Sequence, residues 1–278
     1  MRRYLSAMAS ANRRRFAPLK EAAGLTSNLP KLRGVVFDVD GTLCEPQNQM
    51  FGEMRSVLGI PKTVDILEHI YSLPTPEAQH AAQEAIRAIE RRNMAEQVAQ
   101  PGLATLMAYL DSKSIRKGIC TRNYELPVTH LLEKFLQGTT FFPIVTRDFR
   151  PPKPDPAGIL FISRSWGLVR RSEELGREKM EEMKEMVADA DEDARVKEGA
   201  MGTDGEGHKE IGDASHLLMV GDSIDDMTAG RRAGAATVLL INDVNRHLAE
   251  HEHTDLVIER LDDLVGVLEE GFIGRQVS

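Results

Sequence analysis

The chain has 278 residues, 41% hydrophobic and 28% charged, with 43 acids against 35 Lys and Arg and a net charge of −8. That is enough apolar material for one large domain or two unequal ones. No apolar run approaches the ~18 residues of a membrane span, and the acidic balance excludes a basic nucleic-acid groove as the main surface. The two cysteines, Cys44 and Cys120, are too few and too far apart for a disulfide framework or a zinc site.

Residues 1–20 carry six bases and no acid. This composition resembles a mitochondrial targeting segment and also fits a disordered basic tail. Residues 1–30 therefore read as an extension of a soluble intracellular protein, cytoplasmic, with the mitochondrial matrix as the alternative. Residues 33–37 (RGVVF) have the length and β-branched content of a buried parallel strand. Similar runs follow at 116–120, 141–145, 216–220, 236–241 and 255–258. Helix-like stretches separate most of them, at 103–110, 125–135, 157–166, 226–233 and 261–269. Strand and helix in alternation predict an α/β fold: a doubly wound, Rossmann-like, mostly parallel sheet.

Two segments break the alternation. Residues 46–100 offer no strand, only helical patterns around 50–58, 64–71 and 77–98, punctuated by Pro61, Pro74 and Pro76. They predict a small all-helical cap leaving the core, residues 31–45 plus 101–278, just after its first strand. Residues 172–213 hold 15 acids and six bases. Their Gly-, Asp- and Glu-rich second half should not order by itself, because it buries too little to offset chain entropy. A disordered acidic insertion is expected, projecting from the sheet edge opposite the ligand-binding one, with partner docking as the sharper alternative.

The chemistry gathers at the carboxyl ends of strands. Asp38-Val-Asp40-Gly-Thr-Leu follows the first, and two carboxylates one residue apart need a cation or a proton to relieve their repulsion. Gly41 permits a tight turn, and Thr42 offers a hydroxyl to an oxyanion. Thr121-Arg122-Asn123 ends the second strand, and Lys153 follows the third within Lys-Pro-Asp-Pro. Gly221-Asp222-Ser-Ile-Asp225-Asp226 follows the fourth. Oxygen ligands without imidazole or thiolate suit Mg²⁺. A hydroxyl and an ammonium beside them would neutralise a phosphoryl group in transfer.

These four motifs in this order resemble the haloacid dehalogenase-like (HAD) hydrolase superfamily, over roughly residues 31–171 and 214–278. The resemblance implies a Mg²⁺-dependent phosphatase acting on a small phosphorylated metabolite. Asp38 would be the nucleophile that forms an aspartyl-phosphate, and Asp40 the acid/base. Thr121, Arg122, Asn123 and Lys153 would bind phosphate. Asp38, Asp40 and Asp222 would hold the metal, with Asp40 offering only its backbone carbonyl, and Asp226 would support the metal's water shell or Lys153. Asp225 is set aside in favour of Asp226 on spacing. An acid at position 40 favours phosphoryl chemistry over carbon–halogen cleavage. The alternatives are a phosphoglucomutase-like phosphotransferase and, in another class, a non-catalytic binding or regulatory protein. Substrate identity and oligomeric state are not readable from the sequence.

Phe51, Met54 and Arg55, at the start of the cap, are candidates to touch the leaving group, although packing explains the two apolar ones nearly as well. Cys44 and Cys120 read as ordinary buried thiols, the cluster of His247, His251 and His253 as a solvated turn, and Trp166 as packing.

Overall fold

The computed structural model describes residues 13–20, 27–171, 201–203 and 209–275. Strand β1 (Gly34–Phe37) leads into three cap helices: α1 (Asn48–Leu58), α2 (Ile66–Ser72) and α3 (Pro76–Asn93). The chain returns through α4 (Leu103–Ser112), β2 (Arg116–Cys120), α5 (Glu125–Phe135), β3 (Ile144–Val145), α6 (Ala157–Ser165) and β4 (Val169–Arg171). Strands β5 (Met201–Thr203), β6 (Lys209–Gly212) and β7 (Leu217–Gly221) come next, then α7 (Ile224–Ala233), β8 (Ala236–Leu240), β9 (Leu256–Ile258) and α8 (Asp263–Glu270).

Six strands form one parallel sheet in the order β3-β2-β1-β7-β8-β9. Every residue of β1, β7 and β8 is buried, as strands covered on both faces must be. Alternate side chains serve opposite layers. Val35 and Phe37 pack with Leu106, Leu110, Leu131 and Leu264 from α4, α5 and α8. Val36 and Met219 pack with Ile159, Ile162, Trp166 and Ala229 from α6 and α7. The predicted third strand is shorter than 141–145. Pro143 has no N–H to donate, so only its carbonyl joins β2, accepting from Ile119 N at 3.1 Å. Strand order reverses between β1 and β7, which opens a crevice at their carboxyl ends.

The cap has its own apolar centre, made by Met50, Met54, Ile66, Ile70, Ile86 and Ile89. Local chemistry sets its helices. Asp65 caps α2 by accepting from Leu67 N and Glu68 N, both at 2.9 Å, and Thr75 caps α3 with Pro76 in its first turn. The two connections to the core run side by side, with Glu45 N donating to Val98 O at 2.8 Å and Gln100 N to Leu43 O at 3.1 Å.

Two expectations about extensions change. The basic leader is not separate from the core throughout its length. Phe16 is 2% exposed and stacks on Phe272, and Leu19 N donates to Leu268 O at 2.8 Å. Phe16 and Leu19, with backbone hydrogen bonds, hold residues 13–20 against α8 and the segment after it, while residues 1–12 and 21–26 lie outside the described residues. Likewise, the tail of the acidic insertion is ordered: β5 and β6 pair antiparallel with each other, and β6 pairs with β4. Ile211 is fully buried there, giving this end the apolar anchor that its composition hides. Gly212 lies so close to α6 that a Cβ would sit 2.1 Å from Leu160 O. This small sheet sits where α6 ends and β7 begins, at the edge of the main sheet away from the crevice. The rest of the insertion, residues 172–200 and 204–208, lies outside the described residues.

Candidate active site

Asp38 leaves β1 with its backbone N–H donating to Val220 O at 3.0 Å, so β7 fixes its position. Asp222 and Asp226 arrive from the adjacent strand end. The carboxylate oxygens of Asp38, Asp222 and Asp226 lie within 4.8 Å of one another, close enough to hold a metal ion. Gly41 is required where it stands: its φ is +80°, and a Cβ there would lie 2.1 Å from Asp222 Oδ2.

The fully buried Asp226 is committed to support. Its Oδ2 accepts from Asp222 N (3.2 Å), Ser223 N (3.0 Å) and Ser223 Oγ (2.7 Å), while its Oδ1 takes Lys153. The bond from Ser223 N, with Asp226 N donating back to Ser223 Oγ at 3.3 Å, forms a capping box at the start of α7. Lys153 reaches in from the loop after β3, with Nζ 2.6 Å from Asp38 Oδ1. Burial opposes its charge, but Asp226 and Asp38 together hold its pKa above the usual lysine range. Asn242 Nδ2 lies 3.4 Å from Asp222 Oδ2, and Asn245 Nδ2 donates to Asp222 O at 2.7 Å.

Burial raises the pKa of Asp222 to about 8, with Asp226 and Asp38 adding to the effect. Asp38 is also raised, by burial first, against the pull of Lys153. Carboxylates this close and this dry do not all ionise unless a cation joins them. The donor chemistry therefore fits a hard divalent ion on Asp38 and Asp222, with the oxygens of Asp226 already used.

Asp40 faces elsewhere. Its Oδ2 accepts from Asn123 Nδ2 at 2.7 Å, and its Oδ1 from the Cys44 thiol at 3.4 Å. Burial raises its pKa, opposed by the Asn123 hydrogen bond. Its carboxylate is thus turned from the acidic cluster of Asp38, Asp222 and Asp226.

Above these groups a cavity of about 680 Å³ separates core from cap, and Asp38, Asp40, Thr121, Lys153 and Asp222 all line it. Phe51, Met54 and Arg55 line its cap side. Two assigned phosphate binders use their donors differently. Arg122 lines the cavity but bridges Asp65 of the cap to Asp225 of the core, so its guanidinium is spent on two carboxylates. The Asn123 amide is spent on Asp40. Asp225, set aside in the sequence, has a structural task after all. Thr42 is fully buried and lies outside the cavity lining; its hydroxyl finds no partner among the described residues.

A family profile described as HAD-hydrolase-like matches residues 186–264. The Saccharomyces cerevisiae protein named "Uncharacterized hydrolase YOR131C" is 37% identical over 244 residues, covering 87% of this chain and 91% of its own. An Arabidopsis thaliana haloacid dehalogenase-like hydrolase domain-containing protein, At2g33255, is 32% identical over 230 residues, covering 78% and 75%. The chain belongs to the HAD superfamily of hydrolases. A solved Pseudomonas syringae hydrolase shares the fold, with a TM-score of 0.57 and 22% identity over 86% of this chain and 98% of its own.

Several residues in and behind this HAD hydrolase's cavity escaped the sequence reading. Arg147 and Glu90, 6% and 4% exposed, form an ion pair joining the loop after β3 to cap helix α3, and both line the cavity. Glu90 follows Ile86 and Ile89 on the buried face of α3; a lone acid on an apolar face was the available signal. Asn242 and Asn245 follow β8, a strand end left without a motif. Asp65 looked like a helix cap and nothing more. Elsewhere the bland readings stand. Both cysteines are free and buried, with Cys120 pushed up to about 12 chiefly by burial. Trp166 packs between layers and donates Nε1–H to Phe142 O at 2.6 Å. His253 shares a hydrogen bond of 2.9 Å with Thr228.

No helix among the described residues is long and apolar enough to cross a membrane.

Proposed function

We propose that the chain is a magnesium-dependent phosphatase that hydrolyses a small phosphorylated metabolite through an aspartyl-phosphate on Asp38. The observation that carries this reading is the division of labour between two neighbouring carboxylates. Asp38 lies 2.6 Å from the Lys153 ammonium beside the acidic cluster, whereas Asp40 is turned away onto Asn123. One carboxylate is placed to meet phosphorus and the other to handle a proton.

Asp38 and Asp222, with the backbone carbonyl of Asp40, would hold Mg²⁺, which when bound cancels charge on the phosphoryl oxygens and between the carboxylates. Lys153 supplies a fixed positive charge against the same oxygens and pulls Asp38 toward its ionised form, against burial. The Thr121 hydroxyl lines the same floor. A carboxylate oxygen of Asp38 attacks phosphorus as the ester oxygen departs, and Asp40 gives its proton to that leaving oxygen. Burial favours the protonated form of Asp40 that this step needs. Asp40, now a carboxylate, then takes a proton from water. The resulting hydroxide bonds to phosphorus, the Asp38–phosphorus bond breaks, and inorganic phosphate leaves.

The test is hydrolysis of an aryl phosphate and of a panel of phosphate esters with magnesium, with and without a chelator. Released inorganic phosphate supports the reading, and an isomerised sugar phosphate as product points to phosphotransfer instead. Asp38→Asn should keep the fold by circular dichroism and lose at least ~10⁴-fold in turnover. Magnesium-dependent hydrolysis persisting in that variant refutes the assignment.

A further inference from the structure

Five basic side chains line the cavity: Arg55, Lys62, Arg122, Arg147 and Lys153. Three are neutralised in place. Arg122 meets Asp65 and Asp225, Arg147 meets Glu90, and Lys153 meets Asp38 and Asp226. Arg55 and Lys62 have no acidic partner among the described residues. Among the described residues Arg55 reaches the carbonyl of Phe51 on its own helix, at 3.3 Å, and its buried Nε has no acceptor. A guanidinium with donors unused inside a cavity is costly unless an incoming group supplies acceptors.

Position adds direction to this charge. Lys153 and the carboxylates of the cluster belong to the core floor, whereas Arg55 lies on α1 and Lys62 in the loop that follows it, both in the cap. A phosphoryl group placed at Asp38 would share the cavity with those two cations and with Phe51 and Met54. A guanidinium fork matches the paired oxygens of a carboxylate or phosphate, and a nearby ammonium adds charge without fixed geometry.

We propose that Arg55 and Lys62 form a second anion subsite, so that the substrates are phosphate monoesters whose leaving group carries its own carboxylate or phosphate. The proposal rests on the phosphatase reading for which end of the substrate lies at Asp38.

The experiment compares matched pairs on the full chain: 3-phosphoglycerate against glycerol 3-phosphate, and fructose 1,6-bisphosphate against fructose 6-phosphate. The expected result is at least a tenfold advantage in kcat/KM for the doubly anionic member of one pair or both. Which pair shows it tells a carboxylate from a phosphate requirement. Arg55→Gln should cost the doubly anionic ester at least ten times more than its partner, mainly through KM, and Arg55→Lys should restore part of that preference. Equal kcat/KM within both pairs, or an Arg55→Gln loss that is the same for both members, overturns the subsite. A binding measurement separates this from failure of the catalytic reading. Calorimetry with 2-carboxyethylphosphonate against propylphosphonate should show tighter binding of the first, weakened selectively by Arg55→Gln. That preference without turnover of any ester sinks the phosphatase reading and leaves the subsite standing. Turnover without any preference does the reverse.

Discussion

Core and cap meet around one cavity but are held by different forces. The core is a parallel sheet between two apolar layers, with Val35, Val36, Phe37 and Val220 wholly out of water. The cap's apolar centre is separate from the core's. Across the gap the two touch largely through charge: Arg122 to Asp65, Arg147 to Glu90, Arg87 to Asp148 at 3.8 Å, and Arg150 over the Tyr71 ring at 3.3 Å. Lys134 adds hydrogen bonds to the carbonyls of Ala95 and Gln97 where the cap returns. Apolar burial is non-directional and lost only by unfolding, whereas the partly exposed pairs, Arg122 with Asp65 and Arg87 with Asp148, exchange with water at little cost. The machinery that must stay rigid is built on the first kind of contact, and the lid that must admit a substrate is closed by the second.

Lys153 against Arg122 tests that contrast most strongly. Lys153→Met leaves Asp38 and Asp226 buried without their cation, and should cost about 3–5 kcal/mol in chemical denaturation and at least ~10²-fold in turnover. Arg122→Gln removes a clasp whose members are a quarter to a third exposed. It should cost at most about 1 kcal/mol and act on kcat/KM through the cap. If the Arg122 variant proves as unstable as the Lys153 variant, the cap is glued rather than clasped.

Magnesium gives the next effect. At a hundredfold excess over its dissociation constant a bound ion adds about 2.7 kcal/mol of stability. The gain should vanish in Asp222→Asn, and scanning calorimetry reads it directly. A gain that persists in that variant would place the ion elsewhere.

The last effect, spread over a range of pH, belongs to the cap junction. Burial raises Glu90 from 4.5 to about 7, against the pull of Arg147. The folded state therefore keeps a proton there that the unfolded chain has released, and native stability declines as pH rises from about 4.5 to 7. Glu90→Gln removes that contribution. Its stability relative to the native chain should improve across this window by up to about 1.4 kcal/mol per pH unit. A pH-independent difference would mean that Arg147 keeps Glu90 ionised throughout.

Much of the core was legible because its signals are local. Runs such as GVVF and HLLMV can only be buried strands, and a motif after each strand lands on one sheet edge in any doubly wound fold. Asp38, Asp40, Lys153 and Asp222 were found that way. The roles of Arg122 and Asn123 were not, because a donor's type does not say which acceptor it will meet. Asp65 is 57 residues from Arg122 in sequence, and Glu90 is equally far from Arg147.

The amino-acid order by itself determined the fold class and the set of carboxylates at the crevice, since periodicity and strand-end motifs act over a few residues. The tertiary structure alone decided which charges are spent and which remain. It paired Arg122, Arg147 and Lys153 with acids and left Arg55 and Lys62 lining the cavity without one among the described residues. It also drew Phe16 and Ile211 into the core from segments whose composition argued for solvent. The physical reason is the same in each case: pairing and burial depend on what the folded chain brings within a few ångströms, and that distance is not written in the spacing of residues.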